Sequence, residues 1–171
     1  MPRYGYLLDT CILSLLARDK DHPGRRKVQM KIASLGGEEP LYMSAVSWGE
    51  IEYGWRIGTK DLLRDEDRGM LTRFMTLDVT QNTGKAYAEI KARLFNKYAP
   101  KEMRSKKHRV EQLKDPLSGY ELGVQENDVW LAAQAFERNL VLVTGDRMRR
   151  IKSLIAAVDT LKFENWTVNE A

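Results

Sequence analysis

The sequence predicts an α/β fold with a central parallel sheet, on three observations. Short apolar runs alternate along the chain with amphipathic stretches of helical length. The 171 residues fit one domain and suffice to bury a substantial core. The 18-residue step from Asp128 to Asp146 suits a chain that leaves the sheet as a helix and returns to the same edge as a strand.

Taken in order, Tyr4 to Leu8 reads as a first strand and Ile12 to Arg18 as a short helix. Arg26 to Leu35 reads as a helix ended by Gly36-Gly37. Leu41 to Ser44 is a second strand, and Ser47 is placed to cap a helix reaching about Ile57. Helices are expected over Asp61 to Met75 and over Thr83 to Tyr98, the latter stopping before Pro100. Asn127 to Arg138 reads as a helix, Leu140 to Thr144 as an apolar strand, and Arg147 to Ile155 as a short helix. Thr160 to Phe163 adds a last strand.

Residues 101 to 125 break this rhythm with Lys101, Arg104, Lys106, Lys107, Arg109 and Lys114, then Pro116, Gly119 and Gly123. The plainer reading is a solvated surface insertion; the sharper one is a basic flap on a phosphate backbone.

Composition excludes several classes. Hydrophobic residues make up 43% and charged residues 30%, too apolar for disorder. The single cysteine rules out an internal disulfide, and His22 and His108 lie too far apart in sequence to suggest a His/Cys zinc cluster. No run approaches the roughly 18 apolar residues of a membrane span, and Asp9 interrupts any signal-peptide core, so a cytoplasmic protein is expected. The net charge of +4 is compatible with a polyanionic partner and does not by itself point to one.

The informative feature is where particular acids fall. Asp9 follows the first strand, Glu50 lies in the first turn of the helix after the second, Asp128 opens a helix, and Asp146 follows the strand ending at Thr144. Strand ends and the starts of following helices share the carboxyl edge of a parallel sheet, where such sheets bind ligands. Four carboxylates gathered there repel one another unless a cation intervenes. Oxygen ligands without His or Cys suit Mg²⁺ or Mn²⁺ rather than zinc. Such ions activate water and steady charge during displacement at a phosphodiester, with no nucleophilic side chain required.

Each acid has a structural alternative. Asp9, Asp128 and Asp146 all stand where an N-cap aspartate would. Glu50 is harder to explain that way, since its helical neighbours Val46, Tyr53, Gly54 and Ile57 form a mostly apolar face. Glu52 shares a face with Trp48 and Arg56, and its spacing from Arg56 is that of a surface ion pair. Met43, Trp48, Trp55 and Trp130 are expected in the core, with Cys11 a small buried residue.

These residues carry a family resemblance. Leu7-Leu8-Asp9-Thr10, Ser44-Ala45-Val46-Ser47-Trp48-Gly49-Glu50, Asn127-Asp128-Val129-Trp130-Leu131-Ala132-Ala133 and Leu142-Val143-Thr144-Gly145-Asp146 resemble the ordered motifs of the PIN domain. The closing Leu161-Lys162-Phe163-Glu164-Asn165-Trp166 is similar to the terminus of the VapC-type toxins within it. The resemblance implies a three-layer α/β/α domain, Mg²⁺ or Mn²⁺ held by Asp9, Glu50, Asp128 and Asp146, and support from Thr10 and Thr144 through hydrogen bonds. It also implies an endoribonuclease toxin cutting structured RNA such as tRNA or rRNA, a cognate VapB-like antitoxin, and a homodimer. Arg147, with Arg104, Lys106, Lys107 and Arg109, would then grip the RNA backbone. Three features depart from the pattern. Cys11 stands where asparagine is frequent, Gly145 replaces a common polar residue, and the 101–125 stretch is long for a VapC toxin.

Two other classes compete with a ribonuclease. In a non-catalytic RNA- or protein-binding module of the same fold, the acids would be caps. A DNA nuclease of related fold keeps the chemistry and changes the polymer. A phosphatase with an aspartyl nucleophile fits less well, because such sites usually place a second acid two residues on, where this chain has Cys11.

Overall fold

Strand β1 (Tyr6–Leu8) runs through the middle of a five-stranded, wholly parallel sheet, the arrangement in which strands are buried on both faces. The computed structural model describes residues 5–18, 20–57, 69–99, 109–115, 117–145 and 161–168. After β1 come α1 (Thr10–Leu16), α2 (Pro23–Ser34), β2 (Leu41–Ser44), α3 (Ala45–Arg56) and β3 (Met75–Leu77). Then follow α4 (Gln81–Tyr98), a 3₁₀ turn (Val110–Gln112), α5 (Glu126–Glu137), β4 (Val141–Val143) and β5 (Lys162–Glu164). The strand order is β3-β2-β1-β4-β5. The chain therefore builds outward from β1 in one direction and then turns to the other side. The reversal lies between β1 and β4, the kind of position where α/β sheets bind ligands.

Alternation along the strands sorts the core into two layers. Leu7 of β1 and Leu142 of β4 pack with Ile90 and Leu94 of α4 and with Val129 and Ala133 of α5. Tyr6, Leu8, Val141 and Val143 turn the other way, onto Ile12 and Leu16 of α1, Val28 of α2 and Ile51 of α3. Entry to β1 needs Gly5. It has φ +115°, and a Cβ there would lie 2.5 Å from the Pro40 carbonyl oxygen.

Several expected elements move. Ser44, not Ser47, caps α3: its hydroxyl accepts from the Val46 N–H at 2.9 Å, while Ser47 is buried inside the helix. Met75 belongs to a strand that the sequence reading missed. β3 is an edge strand of three largely exposed residues, too short and too wet to show an apolar period. Of the helix expected over Asp61 to Met75, residues 61–68 lie outside the described set, as does the helix expected over 147–155. Beyond β3 a buried amide fastens the edge, with Gln134 Nε2 of α5 donating to the Leu77 and Asp78 carbonyls at 3.2 Å each. Of the four residues expected in the core, Met43 is buried; Trp48 and Trp55 are half-buried against its layer, and Trp130, also half-buried, stacks on Tyr87.

The stretch expected to be a solvated insertion is anchored in its described half. Val110, Leu113, Leu122 and Val124 are buried in the α4–α5 layer, and the Leu122 N–H donates to the Leu113 carbonyl. A Lys114–Glu121 bridge closes the loop above them. Isolated apolar residues among charged, polar and glycine neighbours give no periodic signal. Leu113→Ala is therefore expected to cost about 2–5 kcal/mol in urea unfolding, where a solvated flap would show a change within about 0.5 kcal/mol.

Candidate active site

Asp9 ends β1 and stands at the N-cap position of α1, but its side chain makes no capping hydrogen bond. Its Oδ2 instead accepts from the Thr144 hydroxyl at 2.7 Å and from the Cys11 thiol at 3.2 Å. Asp9 is 4% exposed and Thr144 fully buried. The backbone aligns the pair: the Asp9 N–H donates to the Val143 carbonyl, and the Thr144 N–H to that of Glu164. The donors meeting Oδ2 are a hydroxyl and a thiol, so they orient the carboxylate without cancelling its charge.

Cys11 is half-buried and joins the two strand ends. Its sulfur accepts from the Gly145 N–H at 3.2 Å and lies 3.7 Å from the Thr144 hydroxyl. Burial first, and the Asp9 carboxylate second, push this thiol up to about 12, so it is present as the S–H donor at neutral pH. Gly145 has its own reason: a Cβ there would meet Thr167 Cγ2 at 2.9 Å. The tail after β5 passes beside Gly145 here, held by Lys27 Nζ donating to the Thr167 carbonyl at 3.2 Å.

Glu50 lies in the second turn of α3, because the helix starts at Ala45. Its apolar neighbours do not make it a core residue. Tyr53 is 64% and Ile57 56% exposed, and the stripe of α3 that packs inward is Ser47 and Ile51, with Trp48 and Trp55 beside them. The helix carries two apolar stripes, and periodicity alone does not say which one the sheet takes. Half-buried Glu50 is engaged at both oxygens. Oε2 accepts from the Thr10 hydroxyl at 2.5 Å and Oε1 from Asn127 Nδ2 at 2.6 Å. The Glu52–Arg56 pair forms at 4.0 Å, at the outer limit of an ion pair.

Asp128 is the third residue of α5, one turn inside the expected N-cap position. It does serve the helix end, since its Oδ2 accepts from the Gln125 N–H at 2.9 Å. Asn127, the residue beside it, carries no signal of its own in the sequence beyond its place in the motif. Its amide reaches Glu50, a contact between residues 77 apart that no local pattern marks.

Asp9, Glu50 and Asp128 thus share the carboxyl edge of the sheet, linked through Thr10 and Asn127. Asp146, Arg104, Lys106, Lys107 and Arg147 lie outside the described residues. Arg109 is exposed; its backbone N–H donates to Gln112 Oε1 and its carbonyl accepts from the Gln112 N–H. Among the described residues no three His, Cys, Asp or Glu side chains stand close enough together to hold a metal ion by themselves. The carboxylate and hydroxyl oxygens at this edge are of the chemistry that suits Mg²⁺ or Mn²⁺, and the Cys11 sulfur beside them is a protonated thiol that donates to Asp9.

Fold and site together define a parallel α/β domain with acidic residues collected at its topological switch point. The PIN domain family profile matches residues 6–153, and the chain belongs to that family. No curated protein matches it. Among solved structures it is similar to VapBC2 from Rickettsia felis bound to a promoter DNA fragment, with TM-score 0.60 and 20% identity over 94% of this chain and 98% of that one. VapBC from Salmonella typhimurium bound to DNA gives 0.59 and 20% over 95% and 98%. VapBC-1 from nontypeable Haemophilus influenzae gives 0.60 and 18% over 95% and 98%. At these identities the likeness is one of fold.

Thr144→Val keeps the shape of the buried side chain and removes the donor to Asp9. It is expected to destabilise the protein by about 1–3 kcal/mol in urea unfolding, with Thr144→Ser recovering most of the loss.

Proposed function

We propose that this chain is a Mg²⁺- or Mn²⁺-dependent endoribonuclease, acting as the toxin of a toxin–antitoxin pair. The observation that carries the reading is Asp9, a buried carboxylate at the switch point that stands at a helix cap and does not cap it. Family membership and the fold shared with VapBC complexes support it. Asp9, Glu50, Asp128 and Asp146 are the residues that would hold the ion. Bound there, it would supply an activated water and charge neutralisation for in-line displacement at phosphorus.

The chain's own residues do the rest. Thr144 and Cys11 fix Asp9, and Thr10 and Asn127 fix Glu50. Cleavage in this way leaves 5′-phosphate and 3′-hydroxyl ends. Arg109 and the basic residues at 104, 106, 107 and 147 are proposed to contact the RNA backbone. The partner would be a small cognate antitoxin, and the likeness to VapBC complexes is the support for it. A homodimer in the cytoplasm completes the proposal.

Purified protein is expected to cut structured RNA with Mg²⁺ or Mn²⁺, to stop with EDTA, and to leave matched DNA intact. Asp9→Asn and Asp128→Asn are each expected to slow cleavage by about 10²-fold or more. Equal cleavage by Asp9→Asn, or none by the wild type with either ion, overturns the reading. Cleavage of DNA in preference to RNA moves the chemistry to the other polymer.

A further inference from the structure

We infer that Asn127 is a positioning residue, which holds the Glu50 carboxylate at the distance and angle from Asp128 that a divalent cation requires. This rests on the metal-dependent reading above and adds to it a residue that makes no claim to be a ligand.

Glu50 and Asp128 come from opposite layers. The helix carrying Glu50 packs through Ile51 on the Leu8–Val143 face of the sheet, and the helix carrying Asp128 packs through Val129 on the Leu7–Leu142 face. The two helices touch where the layers meet at the edge of the sheet, which sets their backbones but not the position of the Glu50 side chain. A glutamate side chain also has three rotatable bonds, so α3 alone leaves its carboxylate free to sample several positions.

Two hydrogen bonds remove that freedom, and their donors are notable for where they sit. Thr10, which holds Oε2, directly follows Asp9; Asn127, which holds Oε1, directly precedes Asp128. Each donor shares a peptide bond with one of the other two acids. The position of Glu50 is thereby referred to both of them at once, across the edge where the two layers meet.

The residue type fits the role. An amide N–H₂ at 2.6 Å is a directional donor that leaves the net charge of the carboxylate in place. A lysine or arginine in its place would neutralise Glu50 and compete with a cation. The amide orients the carboxylate and preserves its charge, which is what a residue supporting a metal ligand must do. The plain alternative is a brace between α3 and α5 that serves stability alone.

The test is Mn²⁺ titration by calorimetry of the full chain, with metal-free thermal melts alongside. Wild type, Asn127→Ala, Asn127→Gln, Glu50→Gln and the Glu50→Gln/Asn127→Ala double variant are compared. Asn127→Ala is expected to weaken Mn²⁺ binding about 10- to 100-fold while the metal-free melt moves little. Asn127→Gln, which keeps the donor on a longer arm, is expected to recover part of the affinity. In the Glu50→Gln background the alanine is expected to cost under about twofold, because Asn127 acts through the carboxylate already removed. Wild-type affinity in Asn127→Ala overturns the inference, as does a loss of equal size in both backgrounds. If Asn127→Ala does not fold, the near-isosteric Asn127→Leu, which also lacks the donor, takes its place: weakened Mn²⁺ binding in it supports the role and wild-type affinity overturns it. A folded wild type that binds no Mn²⁺ sinks the metal-dependent reading together with this one, whereas wild-type binding with an unmoved alanine variant sinks this one alone.

Discussion

A carboxylate buried between two parallel strands has to be met by donors, and the hydrogen bond from Thr144 to Asp9 is the contact on which the site depends. It exists because β1 and β4 pair in one register, with Leu8 opposite Val143, so the next residue of each strand emerges side by side. Slip that pairing by one residue and every side chain changes face. Leu142 would leave its layer and the threonine hydroxyl would no longer reach Asp9. The same register lets the Thr144 N–H bond to Glu164, which carries the alignment on to β5 and the tail. Gly145 then keeps the space beside it that the tail occupies.

The other two acids are positioned less directly. Glu50 and Asp128 ride on helices that pack on opposite faces of the sheet and touch at its edge. Their side chains are tied together there through Thr10 and Asn127. The site is therefore built from one rigid element, the β1–β4 pair, and one adjustable element, the Glu50 clamp. Exposed Tyr53 and Ile57 continue from Glu50 along α3, so this acid sits at the border of a surface stripe and not in an apolar pocket.

Much of this was legible in the chain. The α/β alternation, the parallel sheet and the placing of Asp9 and Asp128 near its carboxyl edge followed from period and spacing. Strand β3 was not, because three exposed residues at an edge carry no periodic signal. The core role of Val110 and Leu113 was hidden by the charged and polar residues around them, and that of Leu122 and Val124 by the polar and glycine residues on either side. Glu50 has the partners that a charge beside apolar residues calls for, but the stripe it shares with Tyr53 and Ile57 faces solvent and not the sheet. A helix with two apolar stripes offers both to the sheet, and shape complementarity makes the choice.

By itself the sequence determined which residue types stand at the ends of which strands, since hydrophobic period and chain length are local properties. It fixed Asp9 as an acid at a strand end and a helix start, and left open whether it caps that helix. Only the tertiary structure decided that it does not, by bringing the Thr144 hydroxyl 135 residues away to its carboxylate. The same holds for Asn127 and Glu50, which meet across 77 residues. Hydrogen bonds between residues so far apart leave no local pattern, because their geometry is set by how the layers pack against the sheet.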